Sequence, residues 1–436
     1  MASENDKLSL AGSVSLGTGV MIGAGIFALV GQVSELAGSL MPLAFLAGAV
    51  IAAFSAYSYI RYSATNPTSG GIAMLLKAAY GPGVVAGTFS LFMYVSMVVA
   101  QSLLGRTFGT YALRPFGLED SALLVPALAV AVIAVAALVN LVGVGFVEGS
   151  ATISAGFKIL GISALAIAGI VAAGPAALGD VLTTDRGAGG GQADGVLGFL
   201  AGTTLCILAY KGFTTITNQG AELREPKKNL GRSITISIAL CTVVYVLLTV
   251  AVAGSLSVDE IIEARDYALA AAAEPLFGSW GVGLTIALAV VATFSGLLAS
   301  IYAVTRLYDM LRDMGQAPSL PSAVRHQSLV ITAGSAIVLA AFLDLSQIAS
   351  MGAILYLSMD IAIHWGVIRH LRSDIQATPV IPAIAIGLDV AVLGAFVIIK
   401  AQTDLLTLAV AMGIAGAVFA SQVVITHRAE HEEQAA

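Results

Sequence analysis

The sequence predicts an all-α polytopic membrane protein, and its composition and hydropathy pattern give the reasons. Of its 436 residues, 58% are hydrophobic and 11% are charged, whereas soluble globular proteins carry roughly 25% charged residues. Apolar runs of about 20 residues, long enough to cross a bilayer as a helix, recur along the whole chain. The mean hydropathy is +0.93. We therefore predict a single integral membrane domain over residues 1–436, embedded in the lipid bilayer.

The apolar runs predict about twelve membrane spans joined by short connectors. Spans 1 to 5 occupy about 10–173, spans 6 to 10 about 195–370, and spans 11 and 12 about 379–427. Span 1 is longer than the roughly 7–15-residue core of a signal peptide, so we expect it to be retained. The individual spans are 10–31, 38–62, 84–112, 121–142, 150–173, 195–220, 233–254, 281–311, 328–344, 347–370, 379–400 and 404–427.

Three connectors have patterns of their own. Residues 63–80 join turn-forming residues to a short amphipathic run, which predicts a helix lying on the membrane surface. Residues 257–277 begin with Ser257 and Glu260 at the spacing of a capping box, which predicts another short helix. Residues 181–194 are rich in glycine and predict a flexible loop.

Charge in the connectors predicts the orientation of the chain. Basic residues are concentrated after spans 2, 6, 8 and 10, and the opposite connectors hold mainly acidic residues. Because cytoplasmic loops are enriched in Lys and Arg, these four connectors are predicted to face the cytoplasm. Both termini then lie in the cytoplasm, as an even number of spans requires. We expect a multi-pass protein of the cell membrane.

Two stretches interrupt the apolar pattern. Residues 17–27 in span 1 read GTGVMIGAGIF, with four glycines within nine residues. Glycine lowers helix propensity, so the stretch predicts a break that frees backbone groups inside the membrane. Alternatively, the glycines only let helices pack closely. Residues 209–213, AYKGF, predict a second interruption in span 6. Two interrupted helices in corresponding positions of two halves are typical of a transporter with a site near the bilayer midplane.

Two lysines lie inside predicted spans, where ionisable groups are costly and mark functional sites. Lys158 in span 5 is about eight residues from the cytoplasmic end, or roughly 12 Å at the helical rise. It could take part in a proton-coupled step, or its ammonium could reach back to the interface. Lys211 lies in the second interruption. It could face a substrate, pair with an acidic group or bind backbone carbonyls.

Polar residues in later spans are further candidates. Asp360 and His364 are spaced i, i+4 and therefore share one helix face. They could form a structural pair or a proton relay. Asp389 in span 11 has no evident partner. Thr293 and Ser295 in span 8 could bond to carbonyls of their own helix or serve a coupling site.

The sequence contains no evident motif for catalysis, metal binding or nucleotide hydrolysis. Glycine-rich phosphate loops follow strands, whereas these glycines lie in membrane runs. We therefore expect no enzyme, no metal and no cofactor. The net charge of −6 is spread over loops and a short tail, so no nucleic acid partner is expected, and no obligate protein partner is evident.

The interrupted stretches resemble a known family. GTGVMIGAGIF resembles the first-helix signature G-x-G-x-x-I-G-[AST]-G-I-F of the amino acid–polyamine–organocation (APC) superfamily. AYKGF at 209–213, followed by AELREPKKN at 221–229, is similar to the sixth-helix pattern A-Y-x-G-F and the segment after it. PTSGG at 67–71 is similar to P-x-[SA]-G-G after helix 2. The resemblance covers residues 8–325 or so.

The resemblance implies the LeuT-type fold, with spans 1–5 and 6–10 as inverted repeats and spans 11 and 12 outside them. It implies that backbone N–H groups of residues 23–25 bind an amino acid's carboxylate and that carbonyls of both interruptions face its ammonium. Helix N-termini favour anions and free carbonyls favour cations. The residues placed at the substrate site on this basis are Ile22, Gly23, Ala24, Gly25, Ile26, Leu208, Ala209, Tyr210, Lys211 and Gly212.

The resemblance also implies proton coupling, because Lys158 stands where some proton-coupled members carry a lysine in place of a sodium ion. Lys158 is expected to contact span 1 near Gly19 and Val20, and span 8 near Thr293 or Ser295. Lys158, Thr293 and Ser295 are the predicted proton-coupling residues.

The predicted function is secondary active transport of amino acids across the plasma membrane by alternating access, driven by a proton gradient. An amino acid or amine exchanger of the same fold is the nearer alternative. A channel or a receptor without coupled transport is the alternative from another class, although no charge ring or filter loop is evident. The sequence departs from the family pattern at two positions. Leu208 stands where an aromatic residue commonly gates the site, and Lys211 stands where an apolar residue usually lines the side-chain pocket. Because an ammonium there repels cations, lysine and arginine are predicted to be poor substrates, and small neutral or acidic amino acids better ones.

Overall fold

Helices make up nearly all of the described chain. The computed structural model describes residues 7–66, 71–142, 144–174, 195–218, 220–319, 321 and 324–435. The helices of the first half are α1 (Leu10–Ala37), α2 (Met41–Thr65), α3 (Gly71–Tyr80), α4 (Val84–Leu113), α5 (Leu124–Val142) and α6 (Val144–Ala173).

The second half continues the same pattern from residue 195 onward. A 3-10 turn at Lys211–Phe213 separates its first two helices, and a π-helical turn at Val367–Leu371 follows the seventh. The helices are α7 (Val196–Tyr210), α8 (Thr214–Thr217), α9 (Pro226–Ser255), α10 (Val258–Glu263), α11 (Ala268–Asp313), α12 (Gln327–Phe342), α13 (Leu345–Gly366), α14 (Val380–Thr403) and α15 (Leu405–Ala435).

Every predicted span falls on a helix, and most ends differ by a few residues. The exception is span 8, predicted to start at 281, because α11 begins at Ala268 and continues through a kink at the non-helical Gly278. Within the described ranges, nine segments have the length and apolar composition needed to cross a membrane, and four shorter apolar helices accompany them. The chain is therefore an all-α polytopic membrane protein, as predicted. The division into two inverted repeats stays a prediction.

The connectors agree with their sequence patterns where the structure describes them. Residues 71–80 form the amphipathic helix α3. The capping box at the start of α10 is confirmed: Ser257 Oγ accepts from the Glu260 N–H, and the Glu260 carboxylate accepts from the Ser257 N–H. Asp344 and Gln347 make a second capping box that begins α13 directly after α12. The glycine-rich loop predicted at 181–194 lies outside the described residues.

The predicted break in span 1 is wrong. Helix α1 runs without interruption from Leu10 to Ala37 and includes the whole of GTGVMIGAGIF. A Cβ atom added at Gly17 would lie 2.5 Å from Ile216 Cδ1, and one added at Gly25 would lie 2.6 Å from Ala209 Cβ. These glycines let neighbouring helices approach α1 closely, so the alternative interpretation of the stretch holds.

The predicted interruption in span 6 is confirmed. Helix α7 ends at Tyr210, and a 3-10 turn over Lys211–Phe213 leads into the single turn of α8. Helix α1 packs against α7, α9, α11 and α6, which puts it at the centre of the bundle. The interrupted helix α7–α8 lies directly beside it.

Candidate functional site

The two stretches that the sequence singled out contact each other at two glycines. Gly25 of α1 lies against Ala209 of α7, and a Cβ on Gly25 would be 2.8 Å from the Ala209 Cα. Gly212 in the 3-10 turn lies against Met21 of α1, and a Cβ there would be 2.9 Å from the Met21 backbone nitrogen. No other residue fits at these contacts without moving a backbone. The fold thus brings the predicted substrate-site residues of both stretches together.

Apolar side chains fill the junction between α1 and α7. Ile22 and Ile26 are fully buried, and Ala209 and Tyr210 nearly so. Leu208 is also buried, and its Cδ1 lies 3.5 Å from where a Cβ on Gly352 of α13 would be. The side chain of Ala24 is outside what the structure describes. In this conformation α1 and α7 are packed directly together at the predicted substrate-site residues.

The closed packing changes one expectation about substrate binding. The resemblance implied free backbone N–H groups at residues 23–25, but these residues lie within the continuous helix α1. Backbone groups inside an α-helix bond to one another. Backbone binding of a carboxylate at this point would therefore need a local opening of α1.

Lys158 of α6 reaches α1, as predicted. Its Nζ donates to the Gly19 carbonyl at 3.2 Å and the side chain is 3% exposed. It also lies 3.9 Å from the position of a Cβ on Gly23, beside the Ala292 carbonyl and Gly296 of α11. An ammonium that reached back to the interface would be exposed, so that alternative is wrong for this conformation.

Thr293 and Ser295 lie on α11, the helix that faces Lys158. Thr293 Oγ1 donates to the Ala289 carbonyl at 2.6 Å, and Ser295 Oγ donates to the Val291 carbonyl at 2.7 Å. Both hydroxyls thus bond to carbonyls of their own helix, which was the structural alternative. A coupling role for them stays a prediction.

Lys211 points from the second interruption toward α4. Its Nζ donates to the Ser96 carbonyl at 2.8 Å and to Ser96 Oγ at 3.0 Å. The Nζ also lies 5.9 Å from the centre of the Tyr356 ring, within the range of a cation–π contact. Of the three sequence-based alternatives, the structure therefore supports binding to a backbone carbonyl. Pairing with Asp360 is not observed.

The freed carbonyls of the second interruption are bound by threonines. Thr214 Oγ1 donates to the Lys211 carbonyl at 2.8 Å, and Thr215 donates to the Gly212 carbonyl. Thr217 Oγ1 donates to the Thr214 carbonyl at 2.6 Å. Hydroxyl side chains are one way in which a membrane helix tolerates a break.

Sequence reasoning missed a buried polar cluster between α2, α13 and α14. Asp360 Oδ2 accepts from Ser55 Oγ at 2.6 Å, and Asp360 Oδ1 accepts from Tyr59 OH at 2.5 Å. His364 Nε2 lies 3.6 Å from Asp360 Oδ1 and 3.8 Å from Asp389 Oδ2. Asp360, His364 and Asp389 are fully buried and form a group that could hold a metal ion. Only the i, i+4 spacing of Asp360 and His364 was visible in the sequence.

The C-terminal end of α1 is held by the loop before α11. Gln32 Nε2 donates to Asp266 Oδ1 at 2.7 Å, and Arg265 Nη1 forms an ion pair with Glu35 at 2.9 Å. Burial raises the pKa of Asp266 to about 6, and the nearby Arg265 acts in the opposite direction. A Cβ on Gly31 would overlap the Arg265 carbonyl. This end of the bundle is therefore tightly closed.

The other end of α1 is tied to the segment after α8. The Leu8 N–H donates to the Glu222 carbonyl and the Arg224 N–H donates to the Leu8 carbonyl, both at 2.9 Å. Arg306 of α11 lies 3.9 Å from the Glu222 carboxylate, in an exposed pair. Exposed ion pairs contribute little to stability, so the backbone bridge is the firmer contact.

These features define the class of the protein. A polytopic helical bundle in which an interrupted helix faces a glycine-rich helix, with a lysine buried beside the junction, has the arrangement expected of a membrane transporter. The chain belongs to the amino acid permease family, whose sequence model matches residues 8–425. That match extends the resemblance seen in the sequence over nearly the whole chain.

Relatives from several kingdoms agree with this family. The inner membrane transport protein YbaT of Escherichia coli is 30% identical over 390 residues, which cover 88% of this chain and 87% of that protein. An uncharacterised protein of Methanocaldococcus jannaschii is 27% identical, over 82% of this chain and 81% of that protein. The protein of Arabidopsis thaliana named cationic amino acid transporter 3, mitochondrial, is 28% identical over 78% of this chain and 58% of its own length.

Proposed function

We propose that this permease carries amino acids across the plasma membrane by proton-coupled symport, with both termini in the cytoplasm. Substrate binding and release alternate between the two sides. In this proposal, residues 22–26 of α1 and 208–212 of the interrupted helix bind the substrate. The closed junction between these segments is one state of the cycle, and opening at either end of α1 gives the others.

The observation that carries the proposal is the contact of Lys158 with α1. Its Nζ donates to the Gly19 carbonyl and lies beside Gly23, one turn further along the helix. Among the described residues, the Lys158 ammonium has one hydrogen-bond acceptor, the Gly19 carbonyl, whereas the Lys211 ammonium has two acceptors on Ser96 and lies over the Tyr356 ring. The structure describes no carboxylate paired with Lys158. Loss or gain of a proton would therefore change the charge directly against α1, which is how a proton could be coupled to movement of that helix.

The test compares transport driven by a pH gradient with transport that needs no gradient. The protein is reconstituted into liposomes, and uptake of labelled amino acids is measured with and without an imposed gradient. In the variant Lys158→Met we expect accumulation driven by the gradient to be lost, while counterflow between labelled and unlabelled substrate remains. Accumulation that persists in this variant at the wild-type level would contradict proton coupling at Lys158.

Lys400, another buried lysine, provides the matched control. Lys400 at the end of α14 is 5% exposed and contacts Ser346 and Asp404, away from α1. Lys400→Met should retain accumulation driven by the gradient. Counterflow without any response to pH in the wild type would instead indicate the exchanger. A conductance without counterflow would indicate the channel.

Substrate choice is proposed from the charge of Lys211. A buried ammonium near the junction disfavours cationic side chains, so we expect lysine and arginine to be poor substrates and small neutral or acidic amino acids better ones. The Arabidopsis relatives are named as transporters of cationic amino acids, and the same panel of labelled substrates decides between the two preferences.

A further inference from the structure

The cluster between α2, α13 and α14 buries two carboxyl groups whose combined negative charge is not balanced by its hydrogen bonds. Without bound cations, two carboxylates and a neutral imidazole carry two negative charges. Asp360, His364 and Asp389 are all 0% exposed, and an unpaired buried charge is strongly unfavourable. Positive charge must therefore be bound within the cluster, as protons or as a metal ion.

The hydrogen bonds distinguish the two carboxylates. Asp360 accepts from Ser55 and from Tyr59, one donor on each oxygen. Donors on both oxygens stabilise the charged form of a carboxylate. Within the described part of the chain, Asp389 has no hydrogen-bond partner on either oxygen, although both oxygens are buried. Asp389 is therefore the carboxyl group that needs a proton.

His364 is placed to accept a hydrogen bond from a protonated Asp389. Its Nδ1 is hydrogen-bonded to Ser58 Oγ at 2.8 Å, while its Nε2 has no hydrogen-bond partner and lies 3.8 Å from Asp389 Oδ2. A small shift of either side chain would bring these two atoms within hydrogen-bond distance. Ser55, Ser58 and Tyr59 of α2 fix Asp360 and His364, but no donor fixes Asp389.

Two tyrosines face the cluster, and one lysine lies over the ring of one of them. Tyr59 and Tyr356 are the titratable side chains that face the cluster from α2 and α13. Phe213 of the 3-10 turn packs edge-on against Tyr59, and Tyr80 of α3 donates to the Ala362 carbonyl. Lys211 lies over the Tyr356 ring but donates to Ser96.

We propose that Asp389 and His364 share an exchangeable proton, which makes this cluster a proton-binding site on helices other than the one that carries Lys158. A proton from water binds the Asp389 carboxylate and is held toward His364 Nε2. When it leaves, Asp360 and Asp389 are both negative, with ligand atoms within 4.8 Å of one another, and they repel each other across the contact between α13 and α14. The proton thus stabilises the packing of α14 on the bundle.

A divalent metal is the competing occupant, and the geometry favours the proton. Metal ligands of this type bind at roughly 2.0–2.2 Å through free lone pairs. The Asp360 oxygen nearest to His364 already accepts the short hydrogen bond from Tyr59. A metal would have to displace that bond, whereas a proton on Asp389 leaves it in place.

Infrared difference spectroscopy tests the proposal without any need for transport. Spectra of the purified protein in liposomes are recorded at acidic and alkaline pH, and the C=O stretch of a protonated carboxyl group is followed. We expect such a band in the wild type, its loss in Asp389→Asn, and a shifted band in Asp389→Glu and in His364→Gln. Asp404→Asn is the control, because Asp404 lies at the end of α14 and caps α15 by accepting from Thr407.

Three results would overturn the proposal. The first is a wild-type protein with no protonated carboxyl band that responds to pH. The second is a band that is unchanged in a folded Asp389→Asn protein; if that variant does not fold, an unshifted band in Asp389→Glu or His364→Gln has the same meaning. The third is one divalent metal ion per chain in elemental analysis of the wild type. Because none of these measurements involves transport, they are independent of the role proposed for Lys158.

Discussion

The glycine-rich helix α1 and the interrupted helix α7–α8 look alike in sequence but differ in structure. Both place glycines in the middle of an apolar run, and both predicted a break. Helix α1 stays helical over 28 residues, whereas α7 ends at Tyr210 and gives way to a 3-10 turn. Each supplies one glycine to a contact with the other, Gly25 against Ala209 and Gly212 against Met21.

The difference teaches that glycine permits a break but does not cause one. A break inside a membrane frees backbone carbonyls, which need donors. After Gly212 the sequence supplies Thr214, Thr215 and Thr217, and these hydroxyls donate to the carbonyls of the turn. No comparable run of hydroxyls follows Gly25, where the sequence continues with Ile26 and Phe27. The pattern to look for is therefore a glycine followed closely by several threonines.

The largest effect is expected from adding a side-chain atom at the close contact between α1 and α7. Gly25→Ala places a Cβ 2.6 Å from Ala209 Cβ and 2.8 Å from its Cα. The contact involves backbone, so it cannot be relieved by a side-chain rotation. We expect loss of transport, together with a destabilisation of about 1–3 kcal/mol or more, as for other overpacked sites. Uptake into liposomes and thermal unfolding in detergent measure the two effects.

Gly156→Ala is the matched control for that substitution. Gly156 lies in α6, and an added Cβ there meets nothing within 4 Å. Alanine is the better helix former by roughly 0.5–1 kcal/mol, so this variant should be at least as stable as the wild type and fully active. Normal transport by Gly25→Ala would show that α1 and α7 are not packed this closely in the working protein.

A smaller effect is expected from removing the charge in the interruption. Lys211→Met eliminates an ammonium whose repulsion of a cationic side chain about 10 Å away would be about 1.7 kcal/mol at an effective dielectric of about 20. Lysine and arginine should therefore compete for uptake roughly 15- to 20-fold better in this variant. Preference among neutral amino acids should not change, because the ammonium donates to Ser96 and not into the junction.

Ser96→Ala separates the charge of Lys211 from its hydrogen bonds. This variant keeps the ammonium and its bond to the Ser96 carbonyl, and loses only the bond to the hydroxyl. Its competition profile should match the wild type. A changed preference among neutral amino acids in Lys211→Met would mean that the lysine side chain lines the pocket after all.

The smallest effect is expected at the C-terminal end of α1, where Asp266 accepts a hydrogen bond from Gln32. Burial raises the pKa of Asp266 to about 6, above the value of about 3.9 in unfolded chains. The folded protein then binds more protons between these values, so this contribution to stability is present at low pH and is lost as the pH rises through about 6. In Asp266→Asn this part of the pH dependence of the unfolding temperature should be absent.

Glu260 provides a comparison of opposite sign. Its hydrogen bonds with Ser257 lower the pKa of the carboxyl group, so its contribution is present at neutral pH and is lost on acidification. In Glu260→Gln the unfolding temperature should fall at neutral pH and converge with the wild type in acid. An Asp266→Asn profile parallel to the wild type would show that Asp266 is ionised as readily in the folded protein as in the unfolded one.

Much of the fold followed from local patterns. Hydropathy placed the long helices to within a few residues, and the spacing of Ser257 and Glu260 identified the start of α10, because both signals depend on neighbours in the chain. The contact of Lys158 with Gly19, 139 positions apart, was expected only because the motifs resembled a known family.

The rest depended on contacts that a single sequence does not reveal. The partner of Lys211 is Ser96, 115 positions away, and nothing in the pattern around either residue connects them. Asp389 lies beside His364 because α14 packs on α13, which hydropathy cannot show. Whether α1 is broken or continuous likewise depends on the helices packed against its glycines.

The short helix α12 has a consequence for the surrounding lipid. Its 16 residues span about 24 Å at the helical rise, about 6 Å less than the hydrocarbon core of an average bilayer. Val330, Val338 and Phe342 are half or more exposed, so lipid chains meet this helix directly. A short helix can be matched by local thinning of the bilayer, at a free-energy cost that rises with membrane thickness. We therefore expect the bilayer to be thinner beside α12 than beside the longer helices.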